Sequence, residues 1–380
     1  MTVHPPRFDR AAMDRVAMDR APIDRDRVAA ATLVCLPGMT PTRLRVLFHE
    51  FGGPVAALAA VTEGRAETLV PEVAARWRGA ADPAGVARTL ARRGTHVFVD
   101  GAPGYPIDDP LPDRPVVLLA EGAKPEALHA PRVAIVGTRA ATPHGLADAE
   151  ELGAVLGSAG VTVVSGLAIG IDAAAHHGAL GAGGAVVGVV ATGLDVVYPR
   201  RHAALFERVR AHGVLVGEQG FGIGPLRARF PIRNRIIAAL SDLVVVVEAT
   251  RRGGARITAQ YALDYGRTVL AVPGSRRNPA AEGTNELIAD GAHPLLEWSD
   301  VLLALGLDHA ASTRSTGGHG NRPAAGSVGA ALLGVLGGEP ATLDQLTSRS
   351  GLTPGDVAVA IRALERDGWV ERAQGAVWPR

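Results

Sequence analysis

The sequence is almost without cysteine and lysine. One cysteine, Cys35, among 380 residues permits no intrachain disulfide and no multi-thiolate zinc or iron–sulfur site, and it points to a reducing cytosol. Of the 39 basic residues only Lys124 is a lysine. It lies in Glu121-Gly-Ala-Lys-Pro rather than after a phosphate-binding glycine loop, which removes Walker A and Schiff-base schemes. Aromatic residues make up only 4% of the chain. No apolar run reaches the roughly 18 residues of a membrane span, and the N-terminus lacks the apolar segment of a secretion signal. Charge of either sign is not in excess: 39 basic residues face 38 acidic ones, a net of +1. Taken as an evenly spread total, that balance excludes a protein built on bulk electrostatic attraction to nucleic acid.

Glycine and proline are abundant instead, at 47 and 26 residues, around small Ala/Val-rich segments. A chain of 380 residues with 47% hydrophobic and 20% charged residues is globular and exceeds one ordinary core, so two to three folded units are expected. Residues 1–28 carry a degenerate five-residue repeat, Ala-Ala-Met-Asp-Arg, Val-Ala-Met-Asp-Arg, Ala-Pro-Ile-Asp-Arg, which offers little to bury and reads as a disordered tail. Over residues 29–99, Leu33, Leu36, Leu44, Leu47, Phe48 and Phe51 recur at three- and four-residue spacing around Pro37-Gly38 and Gly52-Gly53. That is the pattern of a small helical domain.

A Pro/Gly/Asp-rich connector, residues 100–130, leads through the apolar run Val116–Ala120 into residues 131–306. There β-rich runs alternate with helical stretches: Val133–Val136, Val161–Val164, Ala185–Val190, Val214–Val216, Leu243–Val247 and Thr268–Val272. Runs that are apolar throughout belong to strands with helices on both faces. The fold class is therefore α/β, a doubly wound and mostly parallel sheet with ligands expected at the carboxyl ends of its strands. A Ser/Thr/Gly-rich linker, residues 307–326, precedes residues 327–380, whose helices and final hairpin follow the winged-helix pattern.

The strand ends carry the chemistry. The first run ends in Val136-Gly-Thr-Arg-Ala-Ala-Thr-Pro-His-Gly, where glycine turns the backbone and the next helix offers unpaired amides to an anion. Arg139 stands there either to clamp a phosphate or to face solvent. The Gly-x-Gly-x-x-Gly spacing is missing and the second run ends in Ser165 instead of an acid, so no bound NAD or FAD is expected. That second run enters Ser165-Gly-Leu-Ala-Ile-Gly-Ile-Asp-Ala-Ala-Ala-His, a second amide-lined anion pocket with Asp172 as a helix cap. Asp172 and His176 stand four apart on one helix face, which suits capping more often than acid–base catalysis, and no nucleophile accompanies them. The third run leads to Tyr198-Pro199, with Arg200 and Arg201 opening the next helix.

The segment from Leu226 to Arg256 resolves the charge balance. It holds seven arginines (227, 229, 233, 235, 251, 252 and 256) against Asp242 and Glu248, a net of +5 in a chain whose total is +1. Phe230 precedes Pro231 and the helix opened by Arg233-Asn-Arg. An exposed aromatic beside guanidinium groups suits single-stranded nucleic acid, since stacking on one base is worth roughly 1–3 kcal/mol and arginine neutralises phosphate. A place for Phe230 in the core is the other reading. No convergent set of catalytic groups or metal ligands appears.

Taken together, VAIVGTR, SGLAIGIDAAAH, GLDVVYP, FPIRNRIIAALSD, VVVVEA, GRTVLAVPG and EGTNELIADGA, in order over nearly all of residues 131–300, resemble the DNA-processing protein A family (DprA, also called Smf). The helical N-terminal unit looks like the family's sterile-alpha-motif-like (SAM-like) domain, and the C-terminal unit resembles the winged helix many members carry. The resemblance implies an extended Rossmann-like domain without cofactor or enzymatic activity. That domain would bind single-stranded DNA, form a homodimer and load the RecA recombinase onto incoming strands during natural transformation. It also implies DNA contacts from Gly137, Thr138 and Arg139, from Ser165, Gly166 and Gly170, and from Phe230, Arg233, Asn234 and Arg235. After the Val-Glu-Ala strand the family usually has Ser-Gly, whereas Gly253-Gly254 stands here. That removes a hydroxyl and leaves Arg256 and Thr258 as the contacts expected from this loop.

Two alternatives belong to other classes. A nucleotide-hydrolysing Rossmann enzyme of the lysine-decarboxylase-like group would need Pro-Gly-Gly-x-Gly-Thr-x-x-Glu, of which Pro273-Gly-Ser and Glu282-Gly-Thr-Asn-Glu are a loose echo. A winged-helix regulator would need a basic recognition helix, but Asp356–Arg366 has two arginines and two acids.

Overall fold

The structure, a computed structural model, describes residues 24–307, 328–336, 341–366, 369–373 and 376–379. The chain divides after Gly306 into two compact units.

The larger unit opens with helices. Asp24 caps α1 (Arg25–Val34), its carboxylate accepting from the Arg27 amide at 2.8 Å. Helix therefore begins inside the stretch read as tail, and residues 1–23 lie outside the described ones. α2 (Pro41–Phe51) ends on left-handed Gly52, and α3 (Pro54–Thr62) follows at once. α4 (Pro71–Ala74) and α5 (Pro83–Arg93) complete the set. Leu33, Leu36, Leu44 and Leu47 are buried as their spacing predicts, around a fully buried Trp77 whose indole N–H donates to the Pro37 carbonyl at 2.8 Å.

A nine-stranded sheet carries the rest. β1 (His96–Val99) and β2 (Val117–Glu121) pair antiparallel at one edge, and β2 lies antiparallel to β6 (Gly213–Gly217). From β6 the order runs through β5 (Val186–Val189), β4 (Thr162–Ser165), β3 (Arg132–Val136), β7 (Leu243–Val246), β8 (Thr268–Ala271) and β9 (His293–Pro294), all parallel. The chain winds outward from β3 to β6 and then returns to lay β7 and β8 on the other side of β3. That reversal opens a crevice at the carboxyl ends of β3, β4 and β7.

All six apolar runs are strands, and their central residues are buried on both faces. Four helices follow the central strands: α6 (Pro143–Ser158), α7 (Ile171–Gly181), α9 (Arg229–Leu240) and α10 (Gly254–Asp264). α8 (Ala203–His212) packs on β5 and β6, and α11 (Glu282–Ala289) and α12 (Ser299–Ala304) close the far edge. α6 and α7 meet backbone to backbone, because a Cβ at Gly153 or Gly178 would strike the carbonyl of Ala175 or Glu150.

Two boundaries differ from the sequence reading. β1 falls within the expected helical domain and β2 within the expected connector, yet both belong to the sheet. Glu121 explains why the join is tight. Its carboxylate is buried and accepts from Arg93 Nε and Nη2 at 2.7 and 2.8 Å and from Thr95 Oγ1 at 2.8 Å, with Arg210 3.8 Å away. The end of α5, the start of β1 and α8 thus meet on one side chain of β2.

The smaller unit contains α13 (Val328–Leu336), α14 (Leu343–Ser350), α15 (Pro354–Arg366) and the antiparallel hairpin of β10 (Val370–Ala373) and β11 (Ala376–Pro379). Leu332, Leu336, Leu346, Val357, Ile361, Leu364, Val370 and Val377 form its core. This is the winged helix. The expected linker lies, apart from Leu307, outside the described residues. Among the described residues no single helix is long and apolar enough to cross a membrane.

Replacing Glu121 with alanine strips one acceptor from two arginines and a threonine. The unfolding free energy should fall by roughly 2–4 kcal/mol, read as a lower urea midpoint. An unchanged midpoint would show that the join does not depend on this carboxylate.

Candidate nucleic-acid interface

A cleft of about 600 Å³ lies at the carboxyl ends of β3, β4 and β7. Gly137, Thr138 and Arg139 supply one wall, Ala168 and Asp172 the next, and Phe230, Arg233 and Asn234 on α9 face Gly253, Gly254 and Thr258 on α10. Tyr198 and Arg227 complete the rim. Three arginines against Asp172 leave the lining net positive.

The aromatic of the reading is where stacking needs it. Phe230 is half-buried at the mouth, with the Arg139 guanidinium 5.4 Å from its ring centroid and the Tyr198 ring 5.4 Å away at 47°. Arg139 and Tyr198 are exposed, so a charged plane and two rings are offered to one ligand. Tyr198 was read only as part of a turn, and Arg227 only as one charge of the segment. Their position at the end of β5 and before α9 was the available signal.

The amides predicted to hold anions are largely taken. At the start of α6, Glu248 accepts from the Thr142 amide at 2.9 Å and its hydroxyl at 2.6 Å, and Thr142 accepts from Gly145 N at 3.1 Å. A buried carboxylate thus occupies the helix terminus where a phosphate was expected, the same dipole favouring either anion. At the second pocket Asp172 is not the cap of α7; Gly170 is. Asp172 sits at the second helical position and folds back to accept from the amides of Gly166 and Ala168 at 3.1 and 3.3 Å. Leu167 makes this possible, with φ +55° and its side chain buried against Gly188. Among the described residues no other non-glycine has positive φ.

Arg233 forms the floor of the cleft, nearly closed off from solvent. It is 5% exposed, Nη1 donates to the Val189 carbonyl, and a Cβ on Gly166 would strike its guanidinium. Burial lowers its pKa to about 10, with Asp172 opposing, so it stays charged at neutral pH. Burial likewise raises the Asp172 carboxyl, while Arg233 and the two amides pull it down. Gly170 has φ +87°, and a Cβ there would run into the Thr138 carbonyl, so this glycine seats the first loop on the second.

Five expected contacts lie outside the lining: Ser165, Gly166, Gly170, Arg235 and Arg256. Ser165 is fully buried and donates to the Ile135 carbonyl at 2.6 Å. Arg235 is buried in an ion pair with Glu218. Arg256 is paired with Glu286 on the far side of α10 and lines a separate groove. By contrast α10 opens at Gly253 with no side-chain cap, a Cβ on Gly254 would meet nothing within 4 Å, and Gly253, Gly254 and Ala255 all line the cleft. Asn234 marks this edge by donating to the Gly254 carbonyl at 3.1 Å. Among the described residues no group of three His, Cys, Asp or Glu side chains is placed to hold a metal.

The family described as DNA recombination-mediator protein A matches residues 97–306. The chain belongs to this family. The DprA winged helix domain matches residues 321–376. The chain is 39% identical over 279 residues to a putative DNA processing protein DprA of Mycobacterium tuberculosis, covering 70% of this chain and 69% of the relative. It is 36% identical over 279 residues to Protein Smf of a Synechocystis species, covering 66% and 70%. The solved DNA processing protein A of Streptococcus pneumoniae superimposes with a TM-score of 0.62 at 32% identity, covering 73% of this chain and 96% of that one.

Two measurements test this packing. His176 is wholly buried, and burial first, then His177, holds its pKa at about 3. An unfolded imidazole titrates near 6.5, so below that pH the unfolded chain takes up a proton that the folded chain refuses. The contribution is whole above about pH 6.5 and is lost as pH falls toward 3, at about 1.4 kcal/mol per pH unit. His176→Leu should flatten this part of the curve in urea unfolding between about pH 7 and pH 4; an unaltered slope would assign it to other groups. Gly170→Ala, forced into positive φ against a carbonyl, should cost on the order of 3 kcal/mol or more in the same assay. A loss below about 0.5 kcal/mol, an ordinary surface effect, would mean the loop relaxes freely.

Proposed function

We propose that the cleft holds single-stranded DNA, and that the protein works without catalysing a reaction. It would act as a cytoplasmic homodimer that shields incoming strands and loads RecA onto them during natural transformation. The observation that carries the DNA part is the group of Arg139, Phe230 and Tyr198 at the mouth of a basic cleft. Bases present open π-faces only when unpaired, so rings beside guanidinium groups select a single strand over a duplex. Phosphates of that strand would meet Arg139, Arg227, Thr138 and the first amides of α10, with Gly137, Asn234, Gly253, Gly254 and Thr258 shaping the path. Arg233 supplies positive potential from below. Recombination mediation rests on family membership, as the family's description states that role.

The absence of catalysis is supported by how the titratable groups are engaged. Asp172 is held by two amides and His176 is kept neutral by burial. Glu286, which the nucleotide-hydrolysing alternative requires, is ion-paired with Arg251 at 2.8 Å and with Arg256.

Arg139→Ala and Phe230→Ala separate the two forces. Loss of the arginine should make the logarithmic salt dependence of oligothymidylate binding shallower by about 0.7, the share of one phosphate on a single strand. Loss of the ring should weaken binding by roughly 1–3 kcal/mol with the salt slope unchanged. Fluorescence polarisation across a salt series reads both. Equal competition by unlabelled duplex would defeat the reading.

A further inference from the structure

Five arginines lie in the three loops that follow β3, β7 and β8. Residues 137–142, 247–253 and 272–281 contain Arg139, Arg251, Arg252, Arg276 and Arg277, and their one acid, Glu248, is buried at the start of α6. The cleft uses the first of these loops and the end of the second. The third is continuous with it: β8 pairs parallel with β7, and the Gly283 amide at the start of α11 donates to the Ala249 carbonyl at 2.7 Å.

The loop after β8 is braced. Asn285 accepts from Gly274 N at 3.1 Å and donates to the Gly274 carbonyl at 2.9 Å, and Asn278 accepts from Ala280 N at 3.0 Å. Between these anchors Arg276 and Arg277 are exposed, and no ion pair engages either among the described residues. Two adjacent unpaired guanidinium groups on a pinned loop, with no acid in that loop to neutralise them, are an unbalanced local charge.

We infer that the strand does not end at the cleft but continues along the carboxyl edge of the sheet, over the first turn of α10, to a second phosphate subsite formed by Arg276 and Arg277. This rests on the single-stranded-DNA reading of the cleft. Neither Arg276 nor Arg277 lines the cleft, so the subsite is separate from it. A competing exit exists: a groove of about 560 Å³ behind α10 shares Gly253 and Ile257 with the cleft. Two of its three arginines, Arg251 and Arg256, are already held by Glu286, and Asp264 also lines it. Of these two exits, the edge adds two cations that no ion pair engages among the described residues, Arg276 and Arg277, whereas the groove's one such cation is Arg252.

The test compares full-length wild type with the double variant Arg276→Ala/Arg277→Ala on two oligothymidylates. One has about six nucleotides, enough for the cleft, and one about twenty, beyond the roughly 4–16 of a small single-strand site. The double variant should bind the short oligomer like wild type. It should bind the long one several-fold more weakly, with a salt slope shallower by about 1.4, the share of two phosphates. Unchanged binding of both lengths overturns the subsite. Equal weakening of both also overturns it, since the arginines would then act on the cleft through general charge. Failure of the wild type to bind the short oligomer removes the cleft reading itself, and the subsite with it.

Discussion

Arg233 is a charged guanidinium placed where water hardly reaches, and the geometry of the cleft depends on how that charge is balanced. Desolvating a cation costs several kcal/mol even after the surroundings relax. The charge is tolerated because Asp172 lies nearby, the Val189 carbonyl accepts from it and Gly166 leaves it room. Each partner comes from a different segment: the loop after β4, the second position of α7 and the end of β5. Once these agree on Arg233, α9 has one allowed setting. Phe230, one turn earlier on α9, is then fixed at the mouth against Arg139 and Tyr198.

The same economy decides which parts of the cleft remain for a ligand. Glu248 and Asp172 satisfy the amides at the start of α6 and in the loop before α7, so two apparent anion sites are filled from within the chain. What stays open is a small set of exposed arginines, two rings and the unguarded start of α10. A net charge of +1 is no obstacle to such a surface, because screening confines each interaction to about 10 Å and only the local balance matters. Arginine rather than lysine suits it, since one planar group serves both phosphate and ring.

Much of this was legible in the sequence, for identifiable reasons. The six central strands announce themselves because helices cover both their faces, leaving no polar alternation to confuse the pattern. β1 and β2 were harder to assign: they pair antiparallel at one edge, β1 directly after a helical stretch and β2's apolar run inside a Pro/Gly/Asp-rich connector. In the site, Gly137, Thr138, Arg139, Phe230, Arg233, Asn234 and Thr258 all reach the lining, since strand-end loops in this topology converge whatever their details. Gly166 and Gly170 pack behind it, against Arg233 and the Thr138 carbonyl, and Ser165, Arg235 and Arg256 are claimed by Ile135, Glu218 and Glu286, partners 17 to 30 residues away that local spacing cannot reveal. Asp172 was misread by two positions: a carboxylate at the second residue of a helix can fold back on the preceding loop as readily as cap the helix.

Gly253 gives α10 a beginning that no side chain among the described residues caps. A serine there would lend its hydroxyl to the first amides and help hold the opening turn. With glycine the turn has no side-chain acceptor among the described residues and more backbone freedom to lose on ordering. A phosphate seated on those amides would do what that hydroxyl would do. Occupancy would then also cap the helix, the ligand serving as a removable piece of secondary structure.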